Sequence, residues 1–101
     1  MTGPTEERRH TLTSTTGGVM TNEAGAITGE LELSCRPEAD RLHVLVRYAG
    51  AGEWYTVSGG PIPTRDDIDE TSEQIARHLS TPGPVVDGNE RAATLEGFAE
   101  A

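Results

Sequence analysis

Residues 27–36 alternate. Ile27, Gly29, Leu31, Leu33 and Cys35 take one set of positions; Thr28, Glu30, Glu32, Ser34 and Arg36 take the other. Period two with one apolar and one polar side predicts a half-buried β-strand. Pro37 has no amide proton to give a ladder and predicts the strand's end. Residues 36–41 then read as a turn built on Pro37, Glu38 and Asp40. A second strand is expected over residues 42–48, with Leu42, Val44, Val46 and Tyr48 on one face and His43, Leu45 and Arg47 on the other. The loop Ala49-Gly50-Ala51-Gly52 leads to a third strand over residues 53–58, rich in Trp, Tyr, Thr and Val. Gly59-Gly60-Pro61-Ile62-Pro63 breaks the sheet.

The period then changes. Ile68, Ser72, Ile75 and Leu79 form a stripe at helical spacing, predicting a helix over residues 65–79. Thr64 is placed to cap it, with Asp67 three residues on, and Pro82-Gly83-Pro84 stops it. Upstream, residues 1–10 read as a flexible polar tail. Thr11, Thr13, Thr15, Thr16 and Thr21 favour strand, and Gly17-Gly18 could turn a hairpin between residues 12–15 and 19–21. Asn22-Glu23-Ala24-Gly25 reads as a turn. Residues 85–101 read as a partly flexible segment, with Val85-Val86 as a short strand or Asn89 as the cap of a short helix carrying Ala92, Leu95 and Phe98.

If residues 36–41 close a simple hairpin, Cys35 pairs with Leu42, Leu33 with Val44 and Leu31 with Val46. A second hairpin through residues 49–52 pairs Val46 with Tyr55 and Val44 with Val57. Both hairpins put apolar on apolar and agree on the inner face. The helix covers that face. By subtraction, Arg47 lies opposite Trp54 on the outer face and Leu45 opposite Thr56, with His43 between Ser34 and Ser58. The fold class is therefore α+β: an antiparallel meander of three to five strands over residues 11–84, one face packed on a single main helix C-terminal to it.

Composition adjusts this picture. Leu, Ile, Val and Phe make up only 18 of 101 residues, but 12 of them fall between Ile27 and Leu79, which locates the ordered centre. The net charge of −9 disfavours phosphate backbones, so nucleic acid is excluded as a partner and a basic protein is favoured. All eight basic residues are Arg and none is Lys, a bias typical of a GC-rich bacterial genome. One cysteine cannot form an intrachain disulfide. The sequence has neither an apolar leader nor an apolar run of membrane-spanning length, which predicts a cytoplasmic protein with no membrane partner.

Candidate chemistry is thin. Cys35 and His43 are the one thiol–base pair, yet the register sends them to opposite faces. A row of Ser34, His43 and Ser58 lacks an orienting acid and an oxyanion hole. Asp66, Asp67, Asp69, Glu70 and Glu73 match no cation-binding loop and are accounted for by the helix dipole. Ser58-Gly59-Gly60-Pro61 lacks the lysine of a phosphate-binding loop. No metal or cofactor is expected. The reading is a small, acidic, non-catalytic protein-binding or regulatory module that meets its partner through Arg47, Trp54, Leu45, His43 and Thr56. Two alternatives stand beside it. One is a small hydrolase- or isomerase-like enzyme using His43 with a nearby Ser or Cys. The other is a homodimeric structural domain joined by its outer face or an edge strand.

Overall fold

The computed structural model describes residues 7–63, 67–81, 85–86, 88–96 and 98. Its frame is a five-stranded antiparallel sheet followed by one helix. Strands β1 (Arg8–Thr13), β4 (Glu30–Glu38), β5 (Arg41–Tyr48) and β6 (Tyr55–Thr56) lie side by side in that order, and β7 (Ile62–Pro63) pairs with β5 beyond β6. A hairpin of β2 (Val19–Thr21) and β3 (Gly25–Ile27) stands beside this sheet, joined to it by a bridge from Thr21 to Val57. Helix α1 (Ile68–Leu79) packs beside β1, and a short hairpin, β8 (Val85–Val86) with β9 (Asn89–Glu90), follows.

The alternation around Leu31 and Leu33 marks the central strand, but its ends differ from expectation. Ile27 belongs to β3, and the chain turns at Gly29, whose φ of 111° suits glycine. At the other end the strand runs through Pro37 to Glu38. The ladder explains why. The amide of Ala49 donates to Glu30, so even-numbered residues of β4 bond to β5. The amide of Ser14 donates to Gly29, so odd-numbered residues bond to β1. Pro37 is odd: its missing proton faces away from β5, beyond Arg8, where the pairing of β1 begins.

The turn is therefore tighter than expected. Only Ala39 and Asp40 separate the strands, and Ala39 sits at φ 58°. Leu33 consequently pairs with Val46 rather than Val44, and Cys35 with Val44 rather than Leu42. The slip is two residues, an even number, so every side chain keeps its predicted face. At the next hairpin the expected pairs form: Val46 with Tyr55 and Leu45 with Thr56.

Four further corrections concern the flanks. Arg8, Arg9 and His10 are strand rather than tail, while residues 1–6 lie outside the described residues. Leu12 and Thr13 do not turn back onto β2: β1 pairs with β4, and β2 with β3. The helix begins at Ile68 with Asp67 as its N-cap, accepting from the Glu70 amide at 3.0 Å. Thr64, Arg65 and Asp66 lie outside the described residues, as do Pro82-Gly83-Pro84. Asn89 opens β9 rather than capping a helix.

The core fills the inner face. Leu31, Leu33, Cys35, Val44 and Val46 lie against Ile75 and Leu79 of α1, with Val19, Ile27, Ala93 and Leu95 completing it. Residues 93–95 are strapped down by backbone bonds, from Met20 to Ala93, Ala93 to Gly18 and Leu95 to Ser58. Gly17 and Gly59 make room for that strap, since a Cβ on either would meet backbone atoms at 2.5 Å. Among the described residues no helix is long and apolar enough to cross a membrane.

Candidate functional site

The outer face of the sheet carries the polar half of each alternation. β5 presents Arg47 beside Glu32 of β4, and their side chains meet through two nitrogens of the guanidinium, at 2.8 Å from Nε and 2.7 Å from Nη2. The register places Trp54, just before β6, opposite Arg47. The guanidinium lies 4.4 Å from the indole centroid, a cation–π stack. Arg9 reaches the same indole from β1, at 5.2 Å. Guanidiniums from strands on both sides of β4 thus converge on one half-exposed ring.

Acidic partners hold those cations. Glu32 takes Arg47, and this bond holds its carboxyl below the ordinary glutamate value. Glu7 accepts from the Ser34 hydroxyl and from Arg9 Nε, the first being the larger cause of its lowered pKa. At the far edge Glu23 accepts from both the amide and the hydroxyl of Thr56, and its pKa is lowered by the same two bonds.

Four of the five predicted contact residues therefore share a patch: Arg47, Trp54, Leu45 and Thr56. His43 stands apart. It pairs with Arg36 across the ladder and binds Glu38 at 3.1 Å near the Ala39-Asp40 turn, not between Ser34 and Ser58. Ser34 faces Leu45 and donates to Glu7, while Ser58 donates to Asn22 at 2.9 Å. Cys35 is fully buried on the opposite face, where desolvation pushes its thiol up to about 12.

Sequence reasoning missed Arg9, Glu7 and the burial of Ser34 beneath Glu7, because all three depend on β1 joining the sheet. The available signal was the alternation of Arg8, His10 and Leu12 with Arg9, Thr11 and Thr13, in which only one inward position is apolar. On the helix side of the strand, His10 Nε2 lies 2.8 Å from Ser72 Oγ, and Arg8 binds Asp69 at the surface, tying β1 to α1. Two shallow grooves follow β1. One is lined by Arg9, His10, Thr11 and Glu32, and the other by Thr11, Leu12, Thr13, Glu30, Leu31 and Ala49. No cluster of three or more His, Cys, Asp or Glu is placed to hold a metal ion among the described residues. No known protein family, curated protein or solved structure matches this chain.

Proposed function

We propose that this chain is a non-catalytic binding module that meets a protein partner on the outer face of its sheet, with Trp54 as the anchor. The observation that supports this reading is the half-exposed indole set between Arg47 and Arg9 on an open sheet face. Trp and Arg are the side chains that most often dominate binding energy at protein interfaces. Here the ring and one guanidinium are already oriented, by stacking and by Glu32, so less side-chain entropy is lost on docking. The patch mixes Arg9, Arg36 and Arg47 with Glu7, Glu32 and Glu38, so it suits an amphipathic surface with charges of both signs. Much of the acidic excess lies elsewhere, at Asp67, Asp69, Glu70 and Glu73 around the start of the helix.

The test uses the full chain as bait in cell extract, wild type against the double variant Trp54→Ala, Arg47→Ala. Proteins retained by the wild type are expected to be lost by the variant, with an unchanged far-ultraviolet dichroism spectrum. Retention of the same proteins by a folded double variant rules this face out as the site. Trp54 is the only tryptophan, so its fluorescence also reads binding of any recovered partner directly.

A further inference from the structure

We propose that β1 pairs antiparallel, edge to edge, with β1 of a second copy of this chain. The starting point is the direction of the backbone. Arg8, His10 and Leu12 spend their amides and carbonyls on β4, following the Ser14–Gly29 bond. Arg9, Thr11 and Thr13 therefore point theirs outward. Among the described residues no strand lies on that side. The edge also lacks several of the usual blunting devices: Arg8–Thr13 contains no proline and no lysine, and pairs with β4 without a bulge. Arg9, Thr11 and Thr13 are all exposed.

The occupant is a second copy because the strand complements itself. With the two-fold axis at Thr11, Thr11 lies opposite the partner's Thr11, and Arg9 lies opposite the partner's Thr13. Arginines never oppose arginines. On the outer face Thr13 neighbours Glu30 across β1 and β4, so Arg9 stands two strands from the partner's Glu30. Two strand spacings are roughly 10 Å, a gap that an extended Arg and an extended Glu close between them. To reach it, Arg9, with 54% of its side chain exposed, swings away from Glu7 and the Trp54 ring. Within one chain the same two residues are offset by four positions along the strands, roughly 13 Å, and do not meet. One added pair of six-residue strands makes a small interface, so the dimer is expected to dissociate on dilution.

This inference does not depend on the partner-binding reading, and its test separates the two. Sedimentation of the full chain over a concentration series should show the mass rising from 10.8 kDa toward twice that value. A mass that stays monomeric up to the solubility limit overturns the proposal. Thr11→Pro removes an amide proton aimed at the partner and leaves every β1–β4 bond in place. It should fold, by dichroism, and remain a monomer; a folded T11P chain that still dimerises overturns the proposal. A charge exchange fixes the register. Arg9→Glu and Glu30→Arg, each alone, set like charges against each other twice per dimer and should weaken association roughly tenfold. Mixing the two single variants should restore it as a mixed dimer, since both trans pairs are then opposite in sign. Failure of the mixture to associate more tightly than either variant alone overturns the assigned register.

Discussion

Ser34 is 2% exposed on the face that the alternation assigns to water. Its hydroxyl donates to Glu7, which Arg9, the neighbour of Ser34 across β1 and β4, holds in place. The outer face thus has an interior of its own at residue scale. Arg47 and Trp54 were legible as a pair because the residues 49–52 loop sets their register through Val46 and Tyr55. Arg9 was not, because the alternation along Arg8–Thr13 carries a single apolar residue, Leu12, too weak a pattern to mark a strand. Cys35 behaves in the opposite way: its inward position was legible, and burial now gives it a number. With its thiol pushed up to about 12, the reactive thiolate is scarce at neutral pH. Cys35 is expected to react with a thiol-specific disulfide reagent only after denaturation; rapid labelling of the native chain would contradict its placement.

At the scale of elements, the helix start is the clearest case of local chemistry. Asp67 accepts from the Glu70 amide, and Asp69 and Glu70 lie in the first turn where the dipole favours acids. Asp67→Ala should cost about 1 kcal/mol in chemical denaturation, whereas Asp67→Ser should cost only a small part of that. The same reasoning makes Ala39→Gly stabilising by roughly 0.5–1 kcal/mol, since Ala39 holds a positive φ that glycine takes without strain. The central strand could be read because Leu31, Leu33 and Cys35 recur at period two against Glu30, Glu32 and Ser34. Its C-terminal end could not, because Pro37 interrupts only the ladder in which its proton is needed, and that depends on which neighbour lies on which side. The hairpin length was misjudged for a related reason: Pro37 and Asp40 signal a turn nearby but not how many residues it takes. β1 and the β2–β3 hairpin were misassigned because glycines at 17 and 18 look like a turn. They do make one, with the Gly18 amide donating to the Thr15 carbonyl, but it leads from β1 to β2 without pairing them: Gly17 lies against the Arg91 carbonyl and Gly18 against Ile27 of β3.

At the scale of the molecule, the carboxylates decide the response to acid. Glu7, Glu23 and Glu32 all titrate below the ordinary glutamate value in the folded chain. The unfolded chain therefore binds protons first as pH falls. Their contribution is fully present above the unfolded value and is lost as pH drops through the folded ones. The thermal midpoint should hold from neutral pH to about 4.5 and decline below it. Glu32→Gln should flatten part of that decline; an identical acid profile in the variant would show that Glu32 is not one of the groups responsible.

The odd–even division of backbone direction has one more consequence, in the currency of solvent exchange. Along β1 the amide protons of His10 and Leu12 are committed to β4, while those of Arg9, Thr11 and Thr13 point away from it, to a side where no strand lies among the described residues. In deuterated buffer at low concentration, the strand should read as a comb, with slow and fast positions taking turns along consecutive residues. Raising the concentration should slow only the fast teeth, and the comb should fill in from Thr11 outward.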